Sequence, residues 1–495
     1  MLLALAFPKF GTAPVAWVAL VPLLLAIARQ RPTATWSRRS PHPALLGLTT
    51  GAVWFAGTLY WTADVLAVFG GLNAALSWLL CALLVAYMAI YPAAFAWVTA
   101  RAVACFGSRA LALSPFVWVS TEWVRGTLFS GFPWVLLGYS QSGVAPVIQT
   151  ASLVSVHGVS ALIVFVGVAV VWLWQDGWRR AWRPAAVCLA GVGACVGWGA
   201  YRVAEGSLTA TGAVVRVGIV QGNVPQDQKW DPDRVDDILG RYLRMTREAA
   251  GEGATVVIWP ESSTPFLFGH DQARTDAVRA AAFDAGIHLV IGSNDVAPAG
   301  TPYYNAAFML DPQGTTTGVY HKMQLVPFGE YIPMRRLLFF AQPLVEGVAD
   351  FAPGEAMTLL PVGERRLSVA VCYEVVFPWH GLLAARTGSE LLTTITNDAW
   401  YGTTSAPHQH FEQARVRAVE TGRYLVRAAN AGISAIVDPY GRVVARTELF
   451  ETTTLVGDVR WRRAPTVYMR IGDSFVFACL AITALAVGMT FRRKV

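Results

Sequence analysis

Three side chains in the polar stretch of this sequence have the types that nucleophilic catalysis needs: the thiol of Cys372, the carboxylate of Glu261 and the ammonium of Lys322. Each follows a run that reads as a β-strand. Thr255–Trp259 leads into Pro260-Glu261, residues 316–321 lead into Lys322, and Arg366-Leu-Ser-Val-Ala-Val leads into Cys372. Strand ends in α/β domains are where side chains converge on a shared crevice. A cysteine attacks as its thiolate, and an unassisted thiol has a pKa of about 8.5. A neighbouring carboxylate can take the proton as general base. A lysine can hold that carboxylate and stabilise the oxyanion of a tetrahedral intermediate. By type and position alone, the same three residues also read as an inert core thiol, a solvated loop carboxylate and a surface cation after a hairpin. Spacing does not show that they meet.

Other constellations are weaker. His408-x-His410 has no third ligand nearby and reads as a polar helix start before it reads as a metal site. No glycine-rich dinucleotide loop, phosphate-binding loop or GxSxG elbow occurs, and neither a metal nor an organic cofactor is implied. Six cysteines in 495 residues, with no CxxC pair, do not make a disulfide framework. Cys81, Cys105, Cys188, Cys195 and Cys479 lie in or beside strongly hydrophobic segments, which leaves Cys372 the one thiol in the polar region. Trp230, Phe328, Tyr331, Trp379 and Trp400 fall in expected loops. Singly such residues are packing; together on a membrane-tethered domain they could touch lipid.

The elements that must position these groups alternate. Strands are expected at 214–220, 255–259, 287–292, 303–310, 316–321, 366–371, 391–396, 423–429, 433–438 and 454–459. Helices are expected at 231–250, 272–285, 379–387 and 409–421. The turn Asp311-Pro-Gln-Gly314 joins two of the strands. Adjacent strand pairs favour a layered sandwich over a simple doubly wound sheet.

The remainder of the chain is of another kind. The sequence is 54% hydrophobic and 14% charged, with 19 Trp, against roughly 25% charged in soluble chains. Apolar runs at about 11–28, 44–63, 73–99, 110–123, 150–174, 184–201 and 474–491 approach the 20 residues needed to cross a bilayer. The run at 110–123 is short and turns polar at Glu122 and Arg125. Met1–Phe7 is an apolar stub with no basic start or small-residue cleavage site. The net charge of +7 does not point to nucleic acid, because the arginines cluster beside apolar runs. Arg29, Arg31, Arg38 and Arg39, then Arg101 and Arg109, then Arg179, Arg180 and Arg183, and finally Arg492, Arg493 and Lys494 mark every second connection. With basic loops inside, residues 1–205 form a membrane helix bundle, 206–465 a polar domain on the outer side, and 466–495 a last span with a cytoplasmic tail.

Four motifs, Trp259-Pro-Glu261, His321-Lys322-Met-Gln-Leu-Val-Pro-Phe-Gly-Glu330-Tyr, Val371-Cys372-Tyr-Glu374 and Asn397-Asp-Ala-Trp-Tyr-Gly402, are similar to those of the nitrilase (carbon–nitrogen hydrolase) superfamily. With the bundle before them, a span after them and Gly131-Phe-Pro-Trp-Val-Leu-Leu-Gly-Tyr139, the whole chain resembles the bacterial apolipoprotein N-acyltransferases. The resemblance implies an αββα sandwich on the outer face of the cytoplasmic membrane. It also implies a Glu261–Lys322–Cys372 triad, supporting carboxylates Glu330 and Glu374, and substrate-handling roles for Trp230 and Tyr373. The implied reaction moves an acyl chain from a phospholipid to the N-terminal amine of a lipoprotein's diacylglyceryl-cysteine, through a thioester on Cys372. Loops bearing Phe328, Tyr331 or Trp400 are then expected to keep water from the thioester. The family's first span is complete, whereas only Met1–Phe7 precedes Pro8 here; either the first helix is short or the start lies upstream. A membrane-anchored amidase with the same triad would leave the bundle unexplained. A transporter would place more charge within its spans, and a scaffold would not need the three groups together.

Overall fold

The computed structural model describes residues 1–29, 42–298, 300–332 and 351–492. It divides into two compact units, one of Met1–Ala67, Leu72–Gly206 and Thr466–Val495 and the other of Val68–Gly71 and Ser207–Pro465. The basic residues Arg31, Arg38, Arg39, Arg493 and Lys494 lie outside the described residues.

The first unit is helical. Ala74–Phe106, Ala151–Gln175, Trp178–Ala210 and Ser474–Arg492 are long and apolar enough to cross a membrane, and Ala13–Ala28 and Pro43–Leu59 are shorter apolar helices. Met1–Phe7 contributes a single helical turn, Leu2–Leu5. Gly47 and Gly51 let Pro43–Leu59 lie directly on Ala74–Phe106: a Cβ at Gly47 would sit 2.2 Å from the Pro92 carbonyl oxygen, and one at Gly51 2.8 Å from Ala89 Cα. The short polar-ended run folds as Ser114–Thr127, with Pro115 in its first turn. Its two charges are buried and act inward. Glu122 Oε1 accepts the Leu137 amide at 2.7 Å, and Arg125 Nη1 donates to the Trp134 carbonyl at 2.7 Å. The segment after Gly131 is therefore pinned by side chains from the helix before it.

The second unit is an α/β sandwich. Its strands are β1 Val214–Gln221, β2 Val256–Ile258, β3 His288–Val296, β4 Tyr303–Leu310, β5 Thr316–His321, β6 Leu360–Val362, β7 Arg365–Val371, β8 Leu391–Thr396, β9 Leu425–Ala429, β10 Ala435–Val437, β11 Val443–Arg446 and β12 Thr453–Arg460. They form two six-stranded sheets, ordered β12-β1-β2-β3-β4-β5 and β11-β10-β9-β8-β7-β6. In each, a parallel core (β1-β2-β3, β7-β8-β9) is flanked by antiparallel strands. β8 is buried along its whole length, as expected of a strand covered on both faces. The sheets meet through β1 with β9 and β4 with β7, while Val235–Gly251 covers β1 and β2 and Pro378–Thr387 and Ala406–Thr421 cover β7–β9. Ile238, Leu239, Tyr242 and Met245 from the first of these helices join Val257, Leu289 and Ile291 in one apolar core. Their recurrence at three- and four-residue steps is the helical period.

All the strands expected from sequence are present. β6 and β11 were not expected; they are the two edges of the second sheet. β6 is three residues long with Pro361 in it, and β11 is partly exposed along its length, so neither offers an apolar run to read.

Candidate active site

The two parallel cores end in the same crevice. Glu261 follows β2, Cys372 follows β7, and Lys322 follows the antiparallel β5; all three are buried. The chain bends sharply at two of these ends, with φ of 51° at Cys372 and 45° at Ser262. The left-handed region costs a residue with a Cβ about 1–3 kcal/mol, and such strain persists where the surroundings over-determine it. Here they do. β3 passes so close beneath Glu261 that a Cβ at Gly292 would lie 2.3 Å from the Pro260 carbonyl oxygen and 2.8 Å from Glu261 Cα.

Hydrogen bonds then fix each carboxylate. Glu261 Oε1 accepts Asn305 Nδ2 at 2.8 Å and lies 3.6 Å from Lys322 Nζ, while its Oε2 accepts the Asn397 amide at 2.9 Å. Glu330 takes Lys322 Nζ at 2.9 Å, Asn305 Nδ2 at 2.9 Å and the Val326 amide at 2.8 Å. Asn305 thus joins Glu261 to Glu330, and Lys322 lies between the same two groups. Glu374 works on main chain: it accepts the Met323 and Gln324 amides at 2.6 and 3.1 Å, the Val371 amide at 2.6 Å and the Tyr320 hydroxyl at 2.7 Å. One carboxylate therefore fastens the residues just after Lys322 to the residue just before Cys372.

The electrostatics follow from this burial. Desolvation pushes the Cys372 thiol well above its ordinary value; Glu261 adds to the rise, and Lys322 and a hydrogen bond from Thr396 oppose it. The resting group is a thiol that needs a base. Burial alone would lower Lys322, but Glu330, Glu261 and Cys372 outweigh it and hold the ammonium charged. Burial would likewise raise Glu374, yet His380, Tyr320 and the Val371 amide keep it below the usual carboxylate range.

Behind the cysteine is a second buried relay. His410 Nε2 donates to the Cys372 carbonyl at 3.1 Å, its Nδ1 is 3.0 Å from Asp398 Oδ1 and 3.1 Å from Arg427 Nη2, and Arg427 Nη2 is 2.7 Å from Asp398 Oδ2. Burial first, and the Arg427 charge second, lower the imidazole. The Cys372 carbonyl requires a proton on Nε2, and Nδ1 faces both the Asp398 carboxylate and the Arg427 N–H. His410 lies at the start of the helix Ala406–Thr421, as the sequence suggested, and from there it is a buried support of the Cys372 turn. Among the described residues no group of three or more His, Cys, Asp or Glu could hold a metal ion.

Of the other residues singled out in the sequence, Tyr373 is buried with its ring edge-on to Phe377 at 4.9 Å, and Trp230 is 49% exposed. Phe328 is also exposed, with φ of 61°, and its amide donates to the Tyr331 carbonyl at 2.8 Å. Trp400 stands edge-on to Phe69 at 4.8 Å. Asn305, Lys229 and Arg427 carry no signal in the sequence, and His410 is read there only with His408 and not with Asp398. Asn305 alternates with its neighbours along β4 and gives no signal of its own, and Lys229 precedes Trp230 in a polar loop. Asp398 did lie inside a motif that was noted.

Comparison with known proteins adds the following. The carbon-nitrogen hydrolase family model matches residues 216–465, and the apolipoprotein N-acyltransferase N-terminal domain model matches residues 1–169. An apolipoprotein N-acyltransferase of Geobacter metallireducens is 38% identical over 504 residues, spanning 100% of this chain and 94% of the relative. That of Methylococcus capsulatus is 36% identical over 505 residues, spanning 100% and 94%. Among solved structures, an amidase of the nitrilase superfamily from Nesterenkonia AN1 aligns with a TM-score of 0.42 at 24% identity, over 54% of this chain and 97% of the amidase. Both parts of the chain, matched end to end by such relatives, place it in the apolipoprotein N-acyltransferase family.

Proposed function

We propose that this protein transfers an acyl chain from a phospholipid to the N-terminal amine of an S-diacylglyceryl-cysteine lipoprotein, with Cys372 as nucleophile, Glu261 as general base and Lys322 as the supporting cation. In the first half-reaction Glu261 takes the thiol proton as sulfur attacks the ester carbonyl. The carbon–sulfur bond forms, the carbon–oxygen bond to glycerol breaks, and the leaving oxygen takes the proton as lysophospholipid departs. In the second, the lipoprotein amine attacks the thioester, its proton passes to Glu261, and the returning thiolate recovers it as the amide is released. Lys322 is positioned to hold Glu261 and to offset the charge that develops on the carbonyl oxygen. Trp230, exposed beside the crevice loops, and Tyr373 are assigned to substrate handling. The apolar helices hold this chemistry at the bilayer that carries both substrates, and the basic connections favour an outer-side catalytic unit.

The observation that carries the reading is the burial of Glu261, Lys322 and Cys372 at strand ends, with Lys322 Nζ 3.6 Å from Glu261 Oε1 and the charges of both acting on the Cys372 thiol, in a chain whose full-length relatives are named for this transfer. The test is incubation of the full-length protein with phospholipid labelled in its acyl chain. Wild type should acquire a hydroxylamine-sensitive label and Cys372→Ala none. A label that persists in Cys372→Ala, or never forms on wild type, rejects the mechanism.

A further inference from the structure

A fourth charge stands beside the three already assigned. Lys229 is buried, and its Nζ donates to the main-chain carbonyl of Glu261 at 3.1 Å. Its loop is strapped in place by the ends of β8 and β9: Asn430 exchanges hydrogen bonds with the amide and carbonyl of Val224 at 2.9 and 2.7 Å, and Asn397 Nδ2 donates to Gln226 Oε1 at 2.6 Å. An ammonium has three donors, and the Glu261 carbonyl takes one of them. The groups acting on its charge are the Glu261 carboxylate and the Cys372 thiol.

The surrounding charges explain why a second cation is needed. Lys322 is matched by Glu330 at 2.9 Å, and Asp398 by Arg427 at 2.7 Å. Burial and Arg427 disfavour the charged form of His410, Glu374 is satisfied by three amides and a hydroxyl, and Tyr401 is held as the neutral phenol by burial and by the anions around it. This leaves the negative charge shared by Glu261 and Cys372, one proton between two acids; Lys322, 3.6 Å from Glu261 Oε1, is already held by Glu330, and Lys229 adds a second buried cation beside the couple. An unbalanced charge in a desolvated site is costly.

We propose that Lys229 is the counter-ion of the Glu261–Cys372 couple, its ammonium balancing whichever of the two carries the negative charge as the thiol proton passes between them. It acts as a positioning and electrostatic residue for the nucleophile. The inference rests on Cys372 being that nucleophile. Burial pulls the ammonium down to about 8, against the opposing pull of Glu261 and Cys372, so its charge is maintained by the anions it serves.

The test needs no acyl substrate, so its outcome is separate from that of the phospholipid experiment. Full-length protein in detergent is alkylated with iodoacetamide across a pH series, and modification of the Cys372 peptide is followed by mass spectrometry. Lys229→Gln should lower the rate at pH 7 by about tenfold and move the inflection up by about one pH unit, whereas Lys229→Arg should stay within about threefold of wild type. A Lys229→Gln profile that superimposes on wild type, or a Lys229→Arg profile that falls with it, overturns the proposal. A reciprocal measurement does not depend on Lys229→Gln folding. Glu261→Gln removes one of the two anions, so acetylation of Lys229 by acetic anhydride at pH 7, referenced to exposed Lys9, should rise about threefold or more. No rise also overturns it.

Discussion

Glu261, Glu330 and Glu374 share one crevice, and their neighbours give them different work. Glu374 spends its oxygens on main-chain amides and a phenol, which makes it a fastening. Glu330 is paired with Lys322. Glu261 is the one of the three whose charge acts on the thiol, which suits it to the proposed role of base. His410 offers a test at this scale. Its folded value lies below the ordinary imidazole range because of burial, so the neutral form favours the fold. The stability this gives is present above about pH 6.5 and is lost as pH falls through the lower folded value. His288, lowered by burial as well, adds a loss of the same sign. The melting midpoint should therefore fall as pH drops below about 6.5, and His410→Gln should flatten that slope; a slope unchanged in the variant would remove His410 from the account. Cys372, Glu261 and Lys322 were legible in the sequence because each is a reactive type at the end of an expected strand. Asn305 and Lys229 were not, since an amide within a strand and a lysine in a loop have common uninteresting roles until the fold closes over them.

At the scale of elements, the site is made by strands that stop at the right place. β2 is the middle strand of one parallel core and β7 an outer strand of the other, and each ends in a bend beside the crevice. The closeness of β3 to the Glu261 bend is what Gly292 permits. Gly292→Ala should displace Glu261 while leaving its chemistry intact, and acyl-enzyme formation should fall by about tenfold or more with the alkylation inflection of Cys372 also changed. Normal rates in a variant shown to be folded would mean that the loop absorbs the added carbon freely. Strands and helices with a clear period were readable in advance. β6 and β11 were not, because short edge strands lack the apolar alternation that marks a half-buried one. The polar end of Ser114–Thr127 was ambiguous for the opposite reason. Glu122 and Arg125 read as a departure from the membrane, whereas both are buried and spent on the Leu137 amide and the Trp134 carbonyl.

For the molecule as a whole, the basic connections predict one orientation. In right-side-out vesicles, with the six native cysteines replaced, an impermeant maleimide should label a cysteine introduced at exposed Glu252 and spare one at exposed Arg180. The reverse pattern would invert the proposed arrangement.

The two routes into and out of the catalytic unit bear on its history. β1 opens it and β12 closes it, and they pair along their full length from Val214 opposite Arg460 to Gln221 opposite Thr453. The pairing continues past the strands, where the Trp461 amide reaches the Ala213 carbonyl at 3.0 Å and Arg462 Nη1 reaches the carbonyls of Leu208 and Thr211. Neighbouring strands are about 4.8 Å apart, so the chain leaves the sandwich beside the point where it entered. A module with adjoining ends can be spliced into a host chain, or cut from it, without stretching either part. The arrangement suits descent by insertion, in which a ready-made hydrolase-like sandwich was set between two helices of a membrane protein and kept its own sheets complete.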